Sequence, residues 1–240
     1  MTKQVRLAVV GVGPGDPELI TLKGLRRIQA AQTIFVPRSR DSQQSIAHQI
    51  ANEYLDLARQ RIVELPLVMA TDPAYMLEAW EAAATLMAQT LPATGEAVYL
   101  VLGDPSLYGT FTYLATALQT QRPDLLIEII PGVNSYSAAA AAAGLPLAIG
   151  NERVAILPAV YEEDVAAVVA LLDQFDTLIL LKAGSALPRL KAALLATHRT
   201  DQILVAERVG FANQRLWHGL EALPDTALTY FSLAIVKKNC

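Results

Sequence analysis

Apolar residues in this chain fall into short unbroken runs that end at glycine or proline, with helically spaced stretches between them. Leu7-Ala8-Val9-Val10 is the first run, and a run without polar interruption marks a strand buried on both faces. It stops at Gly11-Val12-Gly13-Pro14-Gly15-Asp16-Pro17. Thr21 is placed to cap a helix from Leu22 to about Ala31, and Thr33-Ile34-Phe35-Val36 reads as a second buried strand ended by Pro37. Helical spacing returns over Ser45 to Ala58 and over Pro73 to about Leu91, the latter through Met76, Trp80, Ala84, Met87 and Leu91. Ala97 to Leu102 forms another buried strand, stopped by Gly103-Asp104-Pro105. A helix from about Thr110 to Leu118 and a strand from Leu126 to Ile130 follow, the strand ending at Pro131-Gly132.

Asn134 opens a helix that carries six consecutive alanines to Ala143, and Gly144-Leu145-Pro146 stops it. Strands are expected at Val154 to Leu157, Thr177 to Leu181 and Gln202 to Ala206, separated by helices over Glu162 to Gln174 and Ala186 to Ala196. The tail changes style. Arg215 to His218 and Thr229 to Val236 have no helix between them and suggest antiparallel strands. The expected fold class is α/β with two α/β lobes, 1–125 and 126–240, the boundary falling near Gln121 to Gly132.

Composition narrows the chemistry. With 240 residues, 53% of them hydrophobic and 18% charged, the chain can bury a core without staples. A net charge of -4 gives no general attraction to nucleic acid. No apolar stretch reaches the roughly 20 residues a bilayer helix needs, so no membrane span is expected. The start of the chain shows no export signal, which implies a cytoplasmic protein. The one cysteine, Cys240, excludes internal disulfides, thiolate zinc clusters and a cysteine-ligated iron-sulfur centre. His48, His198 and His218 lack metal-ligand spacing, and no metal site is expected.

The first strand-exit loop invites a dinucleotide-binding reading, which fails on spacing. That fingerprint needs glycine at its sixth position, where Asp16 stands, and a carboxylate there repels a pyrophosphate. No Gly-Lys-Ser/Thr follows for a phosphate-cradling loop. In the second motif, Gly103-Asp104-Pro105-Ser106-Leu107-Tyr108-Gly109, the aspartate stands beyond a strand's carboxyl end, where open α/β sheets bind ligands. Asp104 alone reads equally well as a ligand group or as a turn cap. Pro131-Gly132-Val133-Asn134-Ser135 offers free helix-start N–H groups, though such a start more often serves packing. Taken singly, Lys182 is a surface lysine and Glu207-Arg208 a structural ion pair.

Together, in this order, the three loops resemble the tetrapyrrole methylases, the class III methyltransferases, from Val9 to at least Val236. Gln32 to Pro37, Ser45 to Ala58, Val63-Glu64-Leu65-Pro66 and Lys182-Ala183-Gly184 look like the branch that methylates carbon 20 of precorrin-2 or its cobalt form in cobalamin synthesis. Gly24 departs from the alanine usual in such proteins and costs up to ~1 kcal/mol of helix propensity.

The resemblance implies S-adenosyl-L-methionine as methyl donor, S-adenosyl-L-homocysteine as product, a small-molecule tetrapyrrole substrate, a homodimer, and an active site in the cleft between the lobes. With one cysteine, radical chemistry of that donor is excluded. Carried over by motif, Leu102, Gly103, Asp104 and Leu107 line the methionine end, with Pro14 near it; Asn134 and Ser135 meet it, while Leu181, Lys182 and Glu207 flank the adenosine. Gly13, Gly15 and Asp16 face the tetrapyrrole. The substrate's many carboxylates call for basic groups, with Lys23, Arg38, Arg40 and Arg153 as candidates. Asp16, Asp104 and Tyr108 are the candidates for accepting the proton lost after transfer.

Overall fold

The computed structural model describes residues 5–39, 44–67, 73–159, 164–199, 203–224, 226 and 228–238. The chain divides into two compact units, Met1–Asn134 and Ser135–Cys240.

The first unit runs β1 (Arg6–Gly11), α1 (Leu22–Ala30), β2 (Thr33–Ser39), α2 (Ile46–Ala51), β3 (Arg61–Leu67), α3 (Pro73–Thr90), β4 (Glu96–Val101), α4 (Phe111–Gln121) and β5 (Leu126–Ile130). Its five strands form one parallel sheet in the order β3-β2-β4-β1-β5. Unbroken apolar runs suit it because both faces are covered. Leu7, Val9, Phe35 and Tyr99 pack with Met87 of α3 and Leu114 and Leu118 of α4. Ala8 and Val10 alternate with them and are equally buried on the opposite face. There α1 lies so close that a Cβ on Gly24 would stand 2.8 Å from Val10 Cγ1, so the glycine permits a helix–sheet approach that alanine would push apart.

Thr21 Oγ1 accepts the Gly24 N–H at 3.1 Å and starts α1; Ser45 caps α2 through the His48 N–H. The helix expected to reach Ala58 stops at Ala51, followed by one 3-10 turn over Asn52–Tyr54. Buried Gln60 turns the chain back. Its Nε2 donates to the carbonyls of Ile28 and Ala31 at 2.6 and 3.0 Å, and its Oε1 accepts the Asp56 N–H, closing the end of α1.

Chain direction makes the first unit's binding geometry. β1 and β4 are neighbours, yet β1 feeds α1 on one face of the sheet and β4 feeds α4 on the other. Loops that part in this way leave a crevice beyond the strands' carboxyl ends, the topological switch point of an open α/β sheet. β5 pairs with β1 from Arg6↔Leu126 to Val10↔Ile130. It therefore belongs to the first unit, and the two compact units divide at Asn134/Ser135.

The second unit contains α5 (Ser135–Ala142), β6 (Val154–Pro158), α6 (Val165–Gln174), β7 (Thr177–Leu181), α7 (Leu187–Ala196), β8 (Ile203–Glu207), β9 (Arg215–His218) and β10 (Ser232–Lys237). The sheet order is β6-β7-β10-β8-β9, with β6 and β7 parallel and every other pairing antiparallel. Ala139 and Ala140 of α5 pack among Ile179, Leu204 and Ile235. Lys237, at a buried end of β10, sits 3.0 Å from Glu152 Oε2. That carboxylate also accepts the Ile149 N–H at 2.8 Å, which ties the connection between α5 and β6 to β10.

Candidate active site

Three loops meet where β1, β4 and β5 end. Gly13 and Gly103 form an isolated antiparallel bridge, with the Gly103 N–H donating to Gly13 O at 2.8 Å and the Gly13 N–H to Gly103 O at 3.3 Å. A Cβ on Gly11 would lie 2.6 Å from both Gly103 O and Gly132 N, and one on Gly132 would collide with Gly103 O. Main chain meets main chain here, and only glycine allows it.

Asp104 locks the junction. Its Oδ1 accepts the Ser106 N–H at 2.8 Å and the Ser106 hydroxyl, and its Oδ2 accepts the Gly132 N–H at 2.8 Å. The first pair is a local Asx turn; the second joins two motifs 28 residues apart. Burial by itself would raise the pKa of this carboxyl, but the Ser106 hydroxyl and the amides of Gly132 and Ser106 outweigh it and hold Asp104 below the ordinary carboxylate value. The junction therefore carries a fixed negative charge.

Gly103 differs from its neighbours. It has φ +71°, and a Cβ added there would meet nothing within 4 Å. A ligand can thus approach this backbone closely beside the anion of Asp104. Open space and a fixed negative charge suit a compact cationic group such as a sulfonium or ammonium, so the residues present fit adenosylmethionine. Leu102, Gly103 and Leu107 are half-buried, whereas Tyr108 is 51% exposed with a left-handed φ of 53°.

The other expected site residues separate into groups. Gly13, Pro14 and Gly15 are buried. Asp16 is half-buried and uses Oδ1 to accept the Glu18 N–H at 2.9 Å, capping the short turn Pro17–Leu19. Asn134 and Ser135 are half-buried and straddle the division between the units. In the second unit, Leu181 ends β7, and Lys182, the next residue, has a left-handed φ of 59°. Glu207 is buried and accepts the Thr229 N–H at 2.7 Å. It makes no ion pair with Arg208, whose Nε donates to Asn213 Oδ1 at 2.8 Å.

The basic candidates carry acidic partners of their own. Lys23 Nζ stands 2.7 Å from Glu128 Oε1, and Arg27 bridges Glu128 and Glu96 at 2.9 and 2.8 Å. Lys23 leads the effects that hold Glu128 below its usual pKa, against burial. Arg38 Nε is 2.8 Å from Glu64 Oε2, and Arg153 Nε is 3.9 Å from Asp176 with its guanidinium over the Phe175 ring. Arg40 lies outside the described residues. Sequence reasoning passed over Ser106, although Asp-x-Ser is the spacing of an Asx turn, and over the left-handed backbone of Arg208.

A parallel sheet with glycine loops converging at its switch point, followed by a mixed second sheet, defines a two-unit α/β protein built to hold a small molecule at strand ends. Residues 6–224 match the family model for tetrapyrrole (corrin/porphyrin) methylases, and the chain belongs to that family. It is 34% identical to the probable cobalt-precorrin-2 C(20)-methyltransferase of Methanocaldococcus jannaschii, over 95% of this chain and 94% of that protein. It is 30% identical to the cobalt-precorrin-2 C(20)-methyltransferase of Salmonella typhimurium (98% and 97% covered) and 31% identical to the precorrin-2 C(20)-methyltransferase of a Sinorhizobium species (96% and 94%). The cobalt precorrin-4 methyltransferase CbiF has the same fold, with a TM-score of 0.70 at 21% identity, 97% of this chain and 94% of that one being covered. So does the uroporphyrin-III C-methyltransferase of Thermus thermophilus complexed with S-adenyl homocysteine, at a TM-score of 0.63, 23% identity and 97% coverage of both chains.

Proposed function

We propose that the protein is an S-adenosylmethionine-dependent methyltransferase acting on carbon 20 of precorrin-2 or its cobalt form in cobalamin biosynthesis. The observation that carries this reading is near full-length likeness to three relatives of that name. The open, anionic junction at Gly103-Asp104 supports it. Adenosylmethionine, when bound, supplies a sulfonium methyl already activated for in-line transfer to an electron-rich carbon. The chain's task is then positioning.

Gly103 presents bare backbone, with Leu102 and Leu107 as apolar walls, Pro14 beside them and Asp104 fixing an anion where the ligand is cationic. Asn134 closes the first unit, and within the second unit Ser135, Leu181, Lys182 and Glu207 are the residues proposed for the cofactor, the last three for its adenosine. Gly13, Gly15 and Asp16 form the substrate side of the same loops. Asp104 is the poorest proton acceptor of the three candidates, because its oxygens already hold three donors and its acidity is enhanced. Asp16 and Tyr108 remain for that role. The family's homodimeric state and a cytoplasmic location complete the proposal; among the described residues no helix is long and apolar enough to cross a membrane.

The test is incubation with labelled adenosylmethionine and either precorrin-2 or its cobalt form, followed by NMR location of the new methyl. Label at carbon 20 is expected. Label at any other carbon refutes the assignment.

A further inference from the structure

The two faces of the first unit's sheet are covered by helices of opposite character. On one face α1 exposes Lys23 and Arg26, as a solvated helix does. On the other, α4 exposes Thr112, Tyr113, Thr116, Gln119 and Thr120 and has no charged residue anywhere along its length. In a chain with 18% charged residues, an outer helix face without one is set apart. Just beyond its end, Arg122 and Asp124 pair with each other and add no net charge.

This neutral face carries an ordered aromatic pair. Trp80 of α3 and Tyr113 of α4 stack with ring centroids 4.2 Å apart and planes 10° from parallel. Trp80 is half-buried and packs against the core, while Tyr113 is 54% exposed, so the outer ring stands in water on a fixed base. Leu77, three residues before Trp80 and on the same flank of α3, is 56% exposed. Farther along, Gln121 Nε2 donates to Thr85 Oγ1 at 3.0 Å and ties the two helices together. Rings already held in place lose little freedom when they are covered, which makes them anchors for a partner.

We infer that this α3–α4 face, centred on Leu77, Trp80 and Tyr113, docks against the same face of a second copy of the chain. The inference rests on the homodimeric reading above and gives it a surface. Aromatic residues are enriched and charged ones depleted where protein surfaces meet. A face without charge has nothing to select an acidic or a basic partner, but it matches itself. Across a two-fold axis each copy meets the same patch, and a charged patch would set like against like. The charged residues of α3, Glu78 and Glu81, are both exposed and stay at the rim, in water.

Light scattering and sedimentation over a concentration series give the dissociation constant of the dimer. Tyr113→Glu and Leu77→Glu each place a charge from both copies in the contact and should raise Kd about a hundredfold or more. Thr116→Lys, at an exposed position one turn from Tyr113 and outside the aromatic stack, should raise it about tenfold or more, so a folding defect in Tyr113→Glu leaves the test intact. Leu22→Glu, exposed on the opposite face of the sheet, should stay within about twofold. In a Trp217→Phe background, quenching of Trp80 emission by iodide should fall as concentration rises through the dimer transition. A dimer unchanged in both Leu77→Glu and Thr116→Lys overturns the inference and leaves the homodimer on another surface, as does iodide quenching that ignores concentration. An intact dimer that loses uroporphyrin binding in these variants overturns it too, and makes the face a ligand platform. An unaltered protein that stays monomeric overturns the homodimeric reading itself.

Discussion

Replacing Asp104 with asparagine keeps the shape of the side chain and changes one atom's hydrogen-bonding sense. The asparagine carbonyl can still accept the Ser106 N–H and hydroxyl, but its NH2 group then faces the Gly132 N–H, donor against donor. One charge-assisted bond is lost and a half-buried N–H is left unpaired, for an expected cost of about 2–3 kcal/mol. In a chain of this size that lowers the unfolding temperature by roughly 5–10 °C. The chain has two tryptophans, Trp80 in the first unit and Trp217 in the second. In a Trp217→Phe background, fluorescence therefore reports the first unit alone, which matters because two units need not unfold together. Folding lowers the Asp104 pKa, so its contribution is present above the unfolded value of ~3.9 and is lost as pH falls through the folded value. The gap between Asp104→Asn and the parent should shrink below about pH 4. Equal unfolding temperatures at pH 7, or a gap unchanged on acidification, would refute the clamp.

Two further outcomes follow from the geometry. Gly132→Ala, whose Cβ meets the backbone of Gly103 and Gly11, should destabilise the first unit by several kcal/mol or prevent its folding, whereas Gly103→Val should fold with a strain cost of about 1–2 kcal/mol and lose cofactor affinity by calorimetry; equal melts for the two, or unchanged affinity for the second, would contradict the division of roles. In the second unit, Lys237 leads the effects that hold Glu152 below its usual pKa, followed by the Ile149 amide, so this contribution is present above the unfolded value and fades as pH falls through the lowered one. Glu152→Gln should depress the Trp217-reported melt at neutral pH, and adding Lys237→Met should restore it by removing the stranded ammonium.

Strands β1 and β4 were legible because each is buried on both faces and runs into a glycine loop, and β5, though half exposed, was marked by its stop at Pro131-Gly132. β3 was not legible. Its residues alternate, with Val63, Leu65 and Leu67 buried and Arg61, Glu64 and Pro66 exposed, as suits a strand at the sheet edge with a proline in it. The place of β5 depended on pairing with β1, more than a hundred residues earlier, which no local pattern records. The same distance in sequence hid the partner of Lys23, since Glu128 joins it only after β5 has docked beside β1. A lysine near a glycine loop reads as a ligand group until its carboxylate is found.

Asp104 shows where sequence reasoning stopped and what geometry added. Sequence leaves turn cap and ligand group as alternatives; in the structure one oxygen makes the Asx turn while the other clamps the third motif. The two roles depend on each other. Because Ser106 fixes the carboxylate, Gly132 can be drawn beneath Gly103, and because Gly11 and Gly132 lack side chains, Gly103 can turn its one unobstructed direction outward. The three glycines thus divide the work, two permitting backbone contact and one leaving open space. A phosphate loop gathers N–H donors around an anion. This junction does the opposite, since Asp104 consumes the nearby donors and leaves a negative charge beside bare backbone. That arrangement suits a cationic methyl donor.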